Sequence, residues 1–165
     1  HIVYGAFAPV RQVLGDLSAL LESYPDSHIT VLASEREHVL RAFAQKYIGN
    51  ITLLAYTETM SELFATAHIY IGKAVASTMF EAYASGLPVI VNYALPGQEQ
   101  GNTQLLLEDG CGFFVEGTDD LLHAVALMMK DGASLWRRIS ARMRSIRRSE
   151  GSSQIADAVE GRLLP

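Results

Sequence analysis

The stretch GKAVAST, residues 72–78, brings together side chains suited to binding an anion. It supplies Lys73, Ser77 and Thr78 where we predict that a helix starts. Free backbone N–H groups and the positive end of the helix dipole favour phosphate at such a start, and a neighbouring lysine would add a full charge. Glu81, one turn further on, could accept hydrogen bonds from sugar hydroxyls. The stretch therefore indicates an anion site with a hydroxyl-binding carboxylate beside it.

The same residues also have a purely structural interpretation. Thr78 followed three residues later by Glu81 is a capping box, in which the hydroxyl and the carboxylate each satisfy a free backbone N–H group. Lys73, taken by itself, is more commonly an ordinary solvated lysine on the surface. Thr59 and Glu62 form a second possible capping box, which would explain both residues without a ligand. Both interpretations remain open.

A polar passage, PGQEQGN at residues 96–102, directly follows a strand-like apolar run. Its Gln98, Glu99 and Asn102 suit a polyhydroxyl ligand, because such a ligand needs several fixed donors and acceptors and no nucleophile. Asn102 also precedes an apolar helical segment and suits the N-cap position. The passage is thus predicted to be a sugar-facing loop, with Asn102 starting the next helix.

Strand-like and helix-like segments alternate along the chain. The predicted strands cover residues 1–6, 28–33, 50–55, 68–72, 88–92 and 112–115. The predicted helices cover residues 10–24, 34–47, 59–66, 78–85, 103–108, 119–130, 133–149 and 153–162, and in the second of these Val39, Leu40 and Phe43 should face inward. Strands that are apolar on both faces predict a doubly wound, Rossmann-like α/β domain with a parallel sheet of about six strands and helices on both faces. Ligands bind such sheets beyond the carboxyl ends of the strands, where the strand order reverses, so both polar segments should meet at one edge.

Length, composition and charge exclude several classes of protein. The chain has 165 residues, 49% of them hydrophobic and 19% charged, which is typical of one soluble globular domain. No apolar run approaches the roughly 18 residues of a membrane-spanning helix, and the net charge of −5 argues against a nucleic-acid partner. The single cysteine, Cys111, fits a reducing compartment. We therefore expect a soluble, cytoplasmic protein. The strand-like start at His1 leads us to expect one domain, residues 1–165, from the C-terminal half of a longer protein.

Three further features carry weaker signals. The loop GAFAP, residues 5–9, has one glycine instead of the Gly-x-Gly-x-x-Gly fingerprint, which argues against a nicotinamide dinucleotide site. None of the five histidines pairs with a second ligand at metal spacing, so we expect no metal. Cys111, between two glycines, is interpreted as a small core residue.

The segment SLWRRISARMRSIRR, residues 134–148, is an amphipathic helix by its spacing. One face carries Leu135, Ile139, Met143 and Ile146, and arginines surround it. It could be an ordinary solvated helix or a contact to a membrane surface, and both interpretations stay open.

Four segments, taken in order, resemble a known enzyme family. They are ATAHIYIGK (65–73), STMFEAYASGLPVIV (77–91), PGQEQGN (96–102) and LLEDGCGFFV (106–115). Over roughly the first 130 residues the chain resembles the C-terminal half of the two-domain glycosyltransferases of family 28, which have the GT-B type of fold. The likeness is strongest to the enzymes that make monogalactosyl- and glucosyl-diacylglycerol, and weaker to the enzyme that forms lipid II. Its most specific part is the series Glu81, Gly86-x-Pro88, Pro96-Gly-Gln-Glu99 and Asn102.

The resemblance implies a site for a nucleotide-sugar donor, a UDP-hexose. Glu81 would hold the ribose hydroxyls, Gln98 and Glu99 would face the donor sugar, and backbone around Tyr56 and Thr57 would pair with uracil. The resemblance also implies inverting transfer to a lipid acceptor such as diacylglycerol, without a metal or another cofactor. The acceptor and the general base would lie in another domain, and the full protein would be cytoplasmic, peripheral on the membrane.

The resemblance further places the diphosphate on residues 73–77 and the start of the following helix, near Lys73, Ser77 and Thr78. Relatives commonly have Lys-Pro-Gly-Gly there, whereas this chain has Lys-Ala-Val-Ala. Valine resists positive φ and close backbone approach, so the loop should follow another path. Two alternatives to a transferase stay open: a UDP-sugar epimerase or hydrolase, and a non-catalytic binding subunit.

Overall fold

The computed structural model describes residues 1–146 and 151–163. Its sheet has six parallel strands in the order β3-β2-β1-β4-β5-β6. The strands are β1 Ile2–Gly5, β2 Ile29–Leu32, β3 Ile51–Leu54, β4 Ile69–Lys73, β5 Val89–Tyr93 and β6 Gly112–Phe114. The predicted Rossmann-like fold class is confirmed.

Helices connect and flank these strands. They are α1 Val10–Ser23, α2 Glu37–Ala44, α3 Met60–Thr66, α4 Ala76–Ser85, α5 Gln100–Glu108, α6 Thr118–Ile146 and α7 Gly151–Leu163, and short 3-10 turns, Ser34–Arg36 and Gln45–Tyr47, flank α2. Non-helical residues 130–133 divide α6, as the sequence predicts. Within the described ranges, no helix is both long and apolar enough to cross a bilayer.

Helices cover both faces of the sheet. Tyr4 in β1 donates a hydrogen bond to Asp16 in α1, whereas the ring of Tyr70 in β4 lies 5.3 Å from that of Phe64 in α3. Tyr70 is in register with Val3, the residue before Tyr4. Because successive strand residues point to opposite faces, α1 and α3 pack on opposite sides.

The inward face of α2 differs from the prediction at one position. Leu40 is buried and Phe43 packs on the core, but Val39 is 42% exposed. At about 100° per residue, positions 39 and 40 point to either side of position 43, so the core covers the side that carries Leu40 and leaves Val39 at the solvent boundary.

The second part of α6, residues 134–146, packs its predicted apolar face on the core. Ile139 and Met143 are buried, and the partly buried neighbours that pack beside them are Leu135 and Ile146. The domain's own core therefore occupies the face that a membrane contact would need. Residues 147–148 of the predicted segment lie outside the described residues.

Arginines hold this helix against the ends of two others. Arg144 donates to the carbonyl of Ser85, at the last turn of α4, and Arg142 donates to the carbonyl of Asp109, just after α5. Positive charge is favourable at a helix C-terminus. Gly86 ends α4 in the left-handed conformation, at φ 64°, and a Cβ there would lie 2.5 Å from Nε of Arg144.

Candidate functional site

The carboxyl edge of the sheet holds the loops in which the predicted site residues lie. Along the chain, β1, β2 and β3 extend the sheet towards one side, and β4, β5 and β6 extend it towards the other. The strand order therefore reverses between β1 and β4. Loops 6–9, 55–59, 74–75 and 94–99 follow β1, β3, β4 and β5. Three strand spacings separate β3 from β4, about 14 Å at roughly 4.8 Å each. The edge therefore suits an elongated ligand.

Helix α4 begins two residues earlier than predicted, at Ala76. Its N-cap is Val75, which makes no side-chain cap hydrogen bond. Since a capping hydroxyl must come from the N-cap position, the interpretation of Thr78 and Glu81 as a capping box is wrong. The backbone N–H groups of Ala76, Ser77 and Thr78 thus have neither an intrahelical partner nor a side-chain cap.

The β4–α4 loop, residues 74–75, accommodates alanine and valine without strain. Val75 has φ −71° and ψ 132°, and none of residues 73–78 has a positive φ. The N–H group of Val75 donates to the carbonyl of Lys73 at 2.9 Å. The loop therefore reaches the start of α4 by a path that needs no glycine.

Lys73 and Glu99 form an ion pair between the two loops. Lys73 Nζ lies 2.7 Å from Glu99 Oε1, and the side chains are only 18% and 8% exposed. The interpretation of Lys73 as a solvated surface lysine is therefore wrong. The other carboxylate oxygen, Glu99 Oε2, accepts from the N–H group of Leu95 at 2.9 Å. The carboxylate thus joins the end of β4 to the β5–α5 loop, residues 94–99.

Asn102 provides a second link between these loops. Helix α5 begins at Gln100 with Glu99 as its N-cap, so the prediction that Asn102 starts the helix is wrong. The carbonyl of Glu99 accepts a hydrogen bond from the N–H group of Thr103, and this backbone hydrogen bond starts the helix. Asn102 Nδ2 instead donates to the carbonyl of Ala74 at 2.9 Å.

Tyr70 lies beneath the two loops. Burial raises the pKa of its hydroxyl far above the usual range; a hydrogen bond from the backbone of Lys73 opposes this, and the carboxylates of Glu99 and Glu81 raise the pKa further. The hydroxyl therefore stays protonated, and it lies near both carboxylates. A Cβ at Gly72 would approach its oxygen to 2.6 Å, so a side chain at this position would have to displace the buried Tyr70 ring.

The other predicted residues lie at the same edge and are solvent-accessible. Glu81, Ser77 and Gln98 are exposed, and Thr78 is half-buried. Among the described residues Glu81 has no hydrogen-bond partner that would give it a structural role. Gln98 follows a turn in which Gly97 has φ 84°.

The loop after β3 is the farthest part of the predicted site. Tyr56 is 80% exposed, and Thr57 is half-buried. Thr57 Oγ1 accepts from the N–H group of Thr59 at 3.1 Å. Thr59 is the N-cap of α3 but makes no side-chain cap bond, so the possible capping box with Glu62 is not formed.

Sequence reasoning missed a buried polar network behind the site. Asp16 is fully buried; its Oδ2 accepts from Tyr4 Oη at 2.7 Å and from Asn92 Nδ2 at 3.0 Å, and its Oδ1 accepts from Thr118 Oγ1 at 2.7 Å. Burial, and then the neighbouring Asp16 carboxylate, raise the pKa of Tyr4 beyond the usual range, so this hydroxyl remains a donor. The sequence did carry a signal for this network. Asp16 lies within the apolar stripe of α1, and Asn92 lies in the apolar strand β5, which leads to the β5–α5 loop.

Arg36 is a second residue that the sequence did not single out. Its Nη1 donates to the carbonyl of Ala6 at 2.9 Å and also to that of Ala8. It therefore fixes the loop after β1, where the strand order reverses. No spacing or motif in the sequence marks it.

The described residues contain no group of three or more His, Cys, Asp or Glu side chains that could hold a metal ion. Cys111 is buried, as predicted for a core residue.

The chain is similar in sequence to a known protein family and to curated proteins. A family model described as the glycosyltransferase family 28 C-terminal domain matches residues 5–143. The processive diacylglycerol beta-glucosyltransferase of Staphylococcus carnosus (strain TM300) is 27% identical over 133 residues, which are 79% of this chain and 34% of that protein. The chain thus spans about a third of that relative's length.

Two solved structures share the fold. The crystal structure of Acinetobacter baumannii MurG has a TM-score of 0.77 at 16% identity, over 98% of this chain and 49% of that one. UDP-glucose:anthocyanidin 3-O-glucosyltransferase in complex with UDP has a TM-score of 0.73 at 14% identity, over 88% of this chain and 35% of that one.

Proposed function

The chain belongs to the family 28 glycosyltransferase C-terminal domains, and we propose that it binds the UDP-hexose donor of an inverting transferase that acts on a lipid acceptor. The observation that carries the proposal is the start of α4. Uncapped N–H groups lie there beside the half-buried Lys73, at the carboxyl edge where such sheets bind ligands. The name of the Staphylococcus carnosus relative supports glucose as the hexose and diacylglycerol as the acceptor.

The proposed donor lies along the sheet edge. Its diphosphate binds the N–H groups of residues 76–78 with help from Lys73, its ribose hydroxyls bind Glu81, and its uracil pairs with backbone at 56–57. The hexose lies against the β5–α5 loop, which presents Gln98. The separation of about 14 Å between the β3 and β4 loop positions leaves room for a nucleoside between base and phosphate sites.

The proposed reaction transfers the hexose with inversion. The acceptor hydroxyl attacks the anomeric carbon, and the bond from this carbon to the diphosphate oxygen breaks. The α4 start and Lys73 stabilise the charge that develops on the departing diphosphate. The proton of the hydroxyl passes to a general base, which we place in another domain of the full protein. This chain alone should bind the donor and transfer nothing.

Replacing Glu81 with alanine should weaken UDP binding by about ten- to a hundredfold, since a carboxylate that accepts hydrogen bonds from ribose contributes about 1.5–3 kcal/mol. Isothermal titration of UDP into the parent chain and the variant measures this. The matched control is Glu22→Ala. Glu22 is exposed near the end of α1, at the opposite edge of the sheet. Equal UDP affinity of the parent chain and Glu81→Ala would show that Glu81 does not bind the donor. Absence of UDP binding by the parent chain would overturn the proposed function.

A further inference from the structure

The β4–α4 and β5–α5 loops are held together by polar side chains. The Lys73–Glu99 ion pair spans 2.7 Å, and the hydrogen bond from Asn102 to the carbonyl of Ala74 spans 2.9 Å. Within the β5–α5 loop, Glu99 Oε2 accepts from the N–H group of Leu95, and the N–H group of Glu99 donates to the Leu95 carbonyl at 3.3 Å. Residues 95–99 therefore form a closed turn whose fixed point is Glu99.

We propose that Lys73 and Glu99 form a clamp that positions Gln98 for the donor hexose, so that the pair determines sugar recognition as well as diphosphate binding. This inference rests on the proposed function. Glu99 is a positioning residue in this account: both of its carboxylate oxygens are engaged and its side chain is 8% exposed, whereas the adjacent Gln98 is exposed.

The energetics of the pair favour a positioning role over a stabilising one. Moving two charges out of water costs several kcal/mol per ion, and apolar residues of similar size often stabilise a fold equally well. What an ion pair adds is a defined geometry between two segments. Lys73 suits the junction because its ammonium has three N–H groups: one can hold Glu99 while the others remain for the diphosphate.

The clamp makes the two halves of the donor site depend on each other. A shift of Glu99 moves Gln98, because the two are neighbours in the closed turn. If Glu99 loses Lys73, the turn keeps its bond to Leu95 but loses its tie to the end of β4. The hexose contact should then be lost while the α4 start still binds the diphosphate.

The test compares UDP with UDP-glucose by isothermal titration. The quantity of interest is the ratio of their dissociation constants, Kd for UDP over Kd for UDP-glucose. In Glu99→Gln this ratio should fall about tenfold, the effect of one or two hydrogen bonds to the hexose, while UDP affinity is retained because the start of α4 and Lys73 are both unchanged in sequence. The matched control, Glu108→Gln, removes an exposed carboxylate of α5 whose one side-chain hydrogen bond within the described ranges comes from Gln104, and it should leave the ratio unchanged.

A second variant separates positioning from folding. Lys73→Met with Glu99→Met replaces the buried pair by apolar side chains of similar length, which such sites often tolerate. It should lose the preference for UDP-glucose together with part of its UDP affinity. A ratio that is unchanged in either clamp variant, or a parent that binds UDP and UDP-glucose equally, would overturn this inference alone. A parent that binds no UDP would overturn the proposed function, and the inference with it.

Discussion

Replacing Ser77 with aspartate is expected to lower the affinity for UDP by about a hundredfold without destabilising the domain. Ser77 is the exposed second residue of α4. A carboxylate in the first turn interacts favourably with the helix dipole, by about 0.3–1 kcal/mol. The same carboxylate would repel the diphosphate. Unit charges about 4 Å apart interact by roughly 4 kcal/mol at an effective dielectric constant of about 20, and screening at this exposed position lowers the repulsion to about 3 kcal/mol, or a hundredfold in affinity. Stability and binding should therefore change in opposite directions.

The matched variant is Ser77→Asn, which has the same shape as the aspartate and no charge. It should bind UDP far better than Ser77→Asp does, because only the charged variant repels the diphosphate. Titration calorimetry gives the affinities, and thermal denaturation gives the stabilities. Parent-like UDP binding by Ser77→Asp would show that the diphosphate does not lie at this helix start.

Replacing Asp16 with alanine should have the largest effect on stability, a loss of about 3–5 kcal/mol in the free energy of unfolding. The change removes the acceptor for Tyr4, Asn92 and Thr118, three donors of which Tyr4 and Asn92 are buried. Each unsatisfied buried donor costs about 1–3 kcal/mol, and the missing side chain leaves a cavity. Urea denaturation of the parent and the variant measures the difference.

Glu22→Ala serves as the control on the same helix, because Glu22 is exposed. A surface change of this kind should alter stability by no more than about 0.5 kcal/mol. If Asp16→Ala were as stable as this control, the buried network would be unimportant for the fold.

The sheet and most helices could be predicted from the sequence because their signals are local. Short apolar runs, which alternate with helical segments, mark β1 to β6. A parallel sheet then places the loops after β3, β4 and β5 at one edge. That argument was enough to bring the Lys73, Glu81 and Gln98 segments together. The resemblance then supplied roles for these residues that spacing alone did not.

The helix starts and the contacts between loops could not be predicted in the same way. Both α4 and α5 begin through backbone geometry at Val75 and Glu99, which leaves no capping side chain to recognise. The Asn102–Ala74 contact joins positions 28 residues apart, and the Asp16–Thr118 bond joins positions 102 apart. Such pairings are set by how the strands and helices pack, and no local pattern encodes them.

The most direct test of the donor-site account is a pair of titrations into the parent chain, one with UDP and one with uridine. Because we place the diphosphate on the start of α4 beside Lys73, UDP should bind saturably at one site. Uridine, which lacks both phosphates, should bind at least about tenfold more weakly, since charge-assisted hydrogen bonds contribute about 1.5–3 kcal/mol each. Absence of UDP binding, or equal affinity for the two ligands, would contradict the account.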